Sequence, residues 1–339
     1  MRMTISSPPP SHPSHQQDGP VIFARAIDAH GASRHLGWDH VRDWRPVETG
    51  DLLWVHLDRN AEGVADWLRD DLGLSPATID AITSNQNRPR AFREGNALAT
   101  ILRGINGDDD GTDDMVAMQI WADASHVVTL RRRRMRAPKD VLAEIEARAG
   151  AITVGDLVTR LVEQTVDHIG EVILDMNDRI DQLESRCERE PIDTVLTAIS
   201  QIRRKCLALK RHMSPQHDAL IHIVRDAPEW LSEDNRAAIR ETIDQLHHYL
   251  EDIDVSKESA LLLQDDLNNR AAAQTNKASY LLSIVAGVFL PLSFITGVLG
   301  MNVGGMPGTA SHTAFWITCG LMGVLAVAQI AAFRKWRWL

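Results

Sequence analysis

From Ala278 to Phe333 the chain runs for 56 residues without Asp, Glu, Lys or Arg. Within that tract Tyr280–Leu299 (YLLSIVAGVFLPLSFITGVL) and Phe315–Phe333 (FWITCGLMGVLAVAQIAAF) each hold about the 20 residues a helix needs to cross hydrocarbon. A polar, glycine-rich turn over 300–314 joins them. Arg270 and Lys277 precede the first span, and Arg334, Lys335 and Arg337 follow the second, so the positive flanks place both termini in the cytoplasm. Trp336 and Trp338 in the basic 334–339 tail suit one membrane interface and Trp316 the other. No apolar run follows Arg2, so no signal peptide is expected. Two readings compete with a membrane hairpin of working helices. One is a hairpin buried in a soluble core, against which the length and the flanks argue. The other is a plain anchor. Two helices cannot enclose a hydrated path, so any transport function requires several copies around an axis.

Outside this tract the composition is that of a water-soluble protein. The net charge of −10, from 36 Lys plus Arg against 46 Asp plus Glu, carries no basic footprint for nucleic acid. Cys187, Cys206 and Cys319 are too scattered for a disulfide framework or a four-thiolate metal site, which implies a reduced, cytosol-facing protein. Residues 1–19, rich in Pro, Ser, His and Gln, read as a disordered tail. Over 20–150, β-patterned runs (VIFARA from Val21, Leu52–Leu57, Leu98–Leu102, Met115–Trp121, Val127–Leu130) alternate with helical segments near 61–72, 76–84 and 138–149. They predict a small α/β domain. The acidic string Asp108–Asp114 lacks calcium-loop spacing and reads as a solvated hairpin loop. Arg131–Arg134 with Arg136 closes the last strand and faces solvent or an acidic neighbour, with anion or nucleotide binding as the lesser alternative.

Residues 151–279 predict a helical stalk. Val166, Ile169, Ile173, Met176, Ile180 and Leu183 recur at coiled-coil spacing. Glu190-Pro191 breaks the pattern, and a second helix follows over about 192–224, kinked near Pro215. A last helix starts near Pro228 with the stripe Ile239, Ile243, Leu246, Leu250 and Ile253, and no Gly or Pro interrupts it before Gly287, so it continues into the first span. Residues 226–266 carry twelve acids against three bases, a field that attracts cations where several chains stand side by side.

Candidate chemistry is sparse. No Walker loop, dinucleotide fingerprint, nucleophile elbow or HExxH occurs, so the chain is not expected to be an enzyme. Asp244 with His248, His247 with Glu251, and His248 with Asp252 stand at i, i+4 and offer two ligands per chain, or only intrahelical pairs. His212, His217 and His222, five apart, rotate around their helix and share no site. His312 lies in the outward turn, near the path a cation takes. In the first span Asn276, Ser279, Ser283, Ala286 or Gly287, Leu290, Ser293 and Gly297 form a small, polar stripe. Such a stripe either lets membrane helices pack closely or lines a narrow path whose oxygens replace part of an ion's water shell. Pro291 leaves a carbonyl near Gly287 available.

The turn Gly300-Met301-Asn302, directly after a span containing Phe289-Leu-Pro-Leu-Ser-Phe294, resembles the signature of the CorA-like divalent-cation transporters. Val303-Gly-Gly-Met306-Pro307-Gly308 resembles the zinc-transporter (ZntB) branch, where magnesium members carry an acid after the Met-Pro pair. Asn87-Arg-Pro-Arg90, Ile101–Asn106, Arg131–Arg134 and Leu209–Gln216 resemble that branch too, so the likeness covers about residues 20–339. The resemblance implies an α+β membrane protein of the inner membrane: a funnel-shaped homopentamer with its α/β domain and stalk in the cytoplasm. Tyr280–Leu299 would line the pore and Phe315–Phe333 pack outside it. It also implies that Asn302 holds a hydrated cation by its outer sphere, on a turn shaped by Gly300 and Met301, which spares a doubly charged ion full dehydration. Asn276, Ser279, Leu282, Ala286, Leu290, Ser293 and Gly297 would line the pore, and Asp265 matches an acidic position that binds a regulatory ion between protomers in magnesium members. The expected activity is transport of zinc as substrate, with no obligatory cofactor and with the chain itself, the bilayer and protons as partners. Any proton coupling would rest on His312 or the stalk carboxylates. Magnesium, cobalt or nickel transport is the alternative within the family, and a membrane-anchored coiled-coil scaffold or sensor the alternative outside it.

Overall fold

The structure, a computed structural model, describes residues 20–106, 115–187, 189–301 and 313–335. The tail 1–19, the acidic string, Asn302–His312 and the tryptophans after Lys335 lie outside the described residues. The chain divides after Leu263 into two compact units.

A seven-stranded mixed sheet organises the first unit. Its strands are β1 (Val21–Ile27), β2 (Ser33–His35), β3 (Leu52–Asp58), β4 (Arg90–Glu94), β5 (Ala97–Ile105), β6 (Met115–Ala122) and β7 (His126–Arg131), in the order β2-β1-β3-β7-β6-β5-β4. Only β3 and β7 run parallel, with His56 opposite Thr129; the other neighbours are antiparallel. Leu52–Leu57 is buried without a break, the pattern of a central strand covered on both faces. Helices α1 (Trp38–Asp43), α2 (Val64–Asp70) and α3 (Pro76–Thr83) belong to one side, where Trp44, Trp67, Leu68, Ile79 and Ile82 join Leu53, Val55 and Leu57 in a single apolar cluster. α4 (Arg136–Glu146), α5 (Val154–Arg186) and α6 (Ile192–Arg225) pack on the sheet as well, chiefly against β4, β5 and β7.

Local signals explain most boundaries. Ser75 caps α3 by accepting from the Thr78 amide at 3.2 Å, with Pro76 in the first turn. Thr153 and Asp156 form a reciprocal capping box at the start of α5. The α5 stripe Val166, Ile169, Ile173, Met176 and Ile180 is buried as its spacing predicts, with Leu183 half-buried. Pro191 caps α6, and α6 passes through Pro215 as one helix. The short β2, α1 and β4 were not anticipated, and α2 is shorter than the 61–72 segment.

The last two helices are α7 (Glu233–Leu299) and α8 (Ala314–Lys335). α7 begins four residues beyond Glu229 and is continuous for 67 residues, with Pro291 inside it. Within the first unit, polar bonds join its start to α5 and α6: Asn235 to Asp156 at 2.8 Å, Gln245 to Asp167 at 3.2 Å, Lys210 to Asp254 at 2.6 Å, and Ser256 to Asn177. Ile239, Leu246 and Ile253 are buried between these contacts. Gly170 of α5 sits so close to Tyr249 that a methyl group there would overlap the ring.

Candidate ion pathway

Among the described residues two helices, α7 and α8, are long and apolar enough to cross a membrane. In the second unit, the half-buried residues of α7 beyond Tyr280 are Ile284, Gly287, Val288, Pro291, Leu292 and Ile295. Gly287 identifies what covers this stripe, because a Cβ there would stand 3.0 Å from the Phe333 ring of α8. The sequence left Ala286 and Gly287 as alternatives for one small stripe; the structure separates them, with Gly287 toward α8 and Ala286 exposed.

Asn276, Ser279, Leu282, Ala286, Leu290, Ser293 and Gly297 are all exposed. At about 100° per residue they fall within an arc of about 120°, centred roughly 150° from the stripe that α8 covers. The exposed Ser283 and Phe294 fall within the same arc, Phe294 at the azimuth of Asn276, and Phe289 lies about 20° beyond its edge. Six of the nine residues on the arc are small or polar, Asn276, Ser279, Ser283, Ala286, Ser293 and Gly297, and they share it with Phe294 and with Leu282 and Leu290, 71% and 73% exposed.

Oxygen chemistry along α7 is local. The Ser283 hydroxyl donates to the Ser279 carbonyl at 2.9 Å, and Thr296 to the Ser293 carbonyl at 3.0 Å, so each hydroxyl keeps lone pairs facing outward. Pro291 has no amide hydrogen, which deprives the Gly287 carbonyl of its usual helical donor. The helix ends as the Gly300 amide bonds the Thr296 carbonyl at 2.9 Å and the Met301 amide reaches Val298 at 3.4 Å. Met301 is half exposed. Asn302 and His312 lie outside the described residues.

The other nominated ligands sit on the exposed side of α7. His247 and His248 both approach Glu251, at 3.6 and 3.4 Å. Asp244, Asp252 and Asp265 are exposed, and the neighbour of Asp265, Asp266, pairs with Arg270 at 2.7 Å. His217 of α6 brings its ring to 5.7 Å from that of His247, a proximity that spacing along one helix did not suggest. Among the described residues no three His, Cys, Asp or Glu side chains gather as a metal site. Sequence reasoning missed the α8-facing stripe; its signal was Gly287 and Pro291 at i, i+4, both on the covered side.

Comparison with known proteins places these features in context. Residues 49–335 match the family described as CorA-like Mg2+ transporter protein. The chain is 33% identical over 324 residues to the divalent cation transporter CmaX of Pseudomonas aeruginosa, covering 94% of this chain and 97% of that one. It is 28% identical over 320 residues to the zinc transport protein ZntB of Cronobacter sakazakii, covering 94% and 96%. The solved structure of full-length CmaX superimposes with a TM-score of 0.83 at 30% identity, over 96% of this chain and all of that one.

Proposed function

The chain belongs to the CorA-like family of divalent-cation transporters, and from that premise we propose that the ion it carries is zinc. Its activity is transmembrane transport of divalent cations, not catalysis, and its two apolar C-terminal helices span the inner membrane. The observation that carries the pathway is the exposed arc of α7, small and polar, on the side that α8 leaves open. In this reading Asn276, Ser279, Leu282, Ala286, Leu290, Ser293 and Gly297 from several copies surround a water-filled path, and Leu282 and Leu290 narrow it. The Gly300-Met301-Asn302 turn closes the outer end, with Asn302 holding a cation through its water shell. Zinc is supported by the likeness to ZntB. An ion that meets only oxygens and water leaves as readily as it enters.

A ring of copies is required by two-span geometry. Val255 and Leu262 of α7 are 64% and 63% exposed, apolar side chains in the aqueous part of the helix that another chain would cover. We assign five copies, with 20–150 and 151–279 as cytoplasmic domain and stalk, 280–299 and 315–333 as spans, 300–314 as the outer turn and 334–339 as a cytoplasmic tail. Asp265 is placed at a contact between copies. Proton coupling would fall to His312 or to the carboxylates of the 151–279 stalk.

Purified protein in proteoliposomes tests the reading. Zinc flux should exceed magnesium, cobalt and nickel flux, and Asn302→Ala should lower it at least tenfold while the purified variant keeps a mass five times that of the chain. Unchanged flux in that variant would favour the anchored scaffold; magnesium flux above zinc would overturn the choice of ion. Equal zinc flux with and without a pH gradient would reject proton coupling.

A further inference from the structure

Helices α6 and α7 run antiparallel in the first unit, and one ion pair marks their register: Lys210 of α6 reaches Asp254 of α7 at 2.6 Å. About two turns away, seven residues on in α6 and seven back in α7, the same register sets His217 opposite His247. Their ring centres are 5.7 Å apart, with the planes inclined at 41°. His247 Nε2 in turn stands 3.6 Å from Glu251 Oε1, its i, i+4 neighbour. On the same two helices Met213, Leu220, Leu246 and Ile253 are fully buried, so apolar packing holds both backbones in place whatever the histidines do.

Two imidazoles on one tetrahedral zinc ion, with Zn–N near 2.0–2.1 Å, keep their ring centres about 5 Å apart, and an imidazole nitrogen and a carboxylate oxygen on that ion stand about 3.3 Å apart. Both separations found here are slightly wider. Among the described residues no three ligands already meet at one point. The side chains of His247 and Glu251 are 58% and 62% exposed, however, so both can swing toward His217 through rotamer changes that disturb nothing buried. Asp218, 3.8 Å from His217 Nδ1, and the exposed Asp244, one turn before His247, add negative charge beside the pair, which favours a cation. We propose that His217 and His247 clamp a zinc-class transition-metal ion between α6 and α7, with the Glu251 carboxylate as third ligand and water completing the set. Nitrogen ligands with one carboxylate suit zinc, nickel or copper and not magnesium, which keeps to oxygen. None of the three residues belongs to the arc of α7 assigned to the ion path, so the site stands independently of which ion crosses the membrane.

Zinc alone, titrated in excess magnesium into the full-length protein in detergent after chelator treatment, tests this by the number of zinc ions bound per chain. His217→Gln and His247→Gln should each lose one equivalent, and the double variant should lose one and not two, because both rings serve one ion. Zinc should raise the unfolding temperature of the parent protein by several degrees more than that of either variant, with equal temperatures before zinc is added. If His217→Gln lowers that starting temperature, the exposed positions decide: Glu251→Gln should weaken the same equivalent at least tenfold, and His247→Gln should abolish it. His40→Gln, on α1, and Asn302→Ala should both retain it. An unchanged zinc count in His247→Gln, or additive losses in the double variant, would overturn the proposal. So would an equivalent that disappears with Asn302→Ala, which would place it in the ion path.

Discussion

At His56 the sheet denies an imidazole its proton. Its Nδ1 lies 2.8 Å from the Thr129 hydroxyl, which also accepts from Trp54 Nε1 at 3.0 Å, and burial followed by the charge of Arg131 pushes its pKa down to about 3. The unfolded chain, with the ordinary value of 6.5, takes up a proton that the folded chain refuses. Stability is therefore intact above about pH 6.5 and eroded as the pH falls toward about 3, by about 1.4 kcal/mol per pH unit for this one group. Replacing His56 by Gln should flatten the acid side of a stability-against-pH curve between pH 6 and 4 by about that slope, as read by chemical denaturation at each pH; an unchanged slope would mean the ring is protonated in place. That Val55-His56-Leu57 forms a strand was legible from its apolar run. The charge state was not, because it depends on Thr129 and Arg131, which arrive only through the parallel β3–β7 pairing some 70 positions away.

At the level of elements, the long periodic helices were readable because each carries its own burial pattern, as the α5 stripe does from Val166 to Ile180. Strands β2 and β4 and helix α1 were not, since three to six residues are too few to establish a period, and β2 and β4 are set by pairing with β1 and β5. The start of α5 is held by side chains rather than by packing alone. Thr153→Ala removes the acceptor of the Asp156 amide and half of the capping box, and should cost about 1 kcal/mol, within a range of roughly 0.5–2, in thermal or chemical unfolding. The membrane helices give a paired prediction from two glycines ten residues apart. A side chain at Gly287 runs into Phe333, whereas at Gly297 it meets nothing within 4 Å. Gly287→Val should therefore lower the unfolding temperature of the solubilised protein, while Gly297→Leu leaves it unchanged and instead reduces ion flux several-fold by narrowing the open arc. Loss of stability at Gly297, or loss of flux without loss of stability at Gly287, would reverse the assignment of the two faces. The sequence showed a small-residue stripe but not which side faced α8, because both sides of α7 carry small residues, and only the distance to Phe333 separates them.

For the whole molecule, the single chain gives no count of copies: Val255 and Leu262 look like ordinary exposed residues until something covers them. The unbroken course of α7 from Glu233 to Leu299 has a further consequence. Along a continuous helix each residue takes its azimuth from the one before it. One alanine inserted between Thr275 and Asn276 turns everything beyond it by about 100°, so that Val285 and Phe289 take the azimuths of Ala286 and Leu290. Ion flux should collapse, and a cysteine at position 289, unreactive toward water-soluble thiol reagents in the parent protein, should become labelled. Seven inserted alanines turn the segment through nearly two full revolutions, to within about 20° of its first bearing, and should return position 289 to its unreactive state. The compass setting of each membrane residue is thus a matter of counting along its own helix.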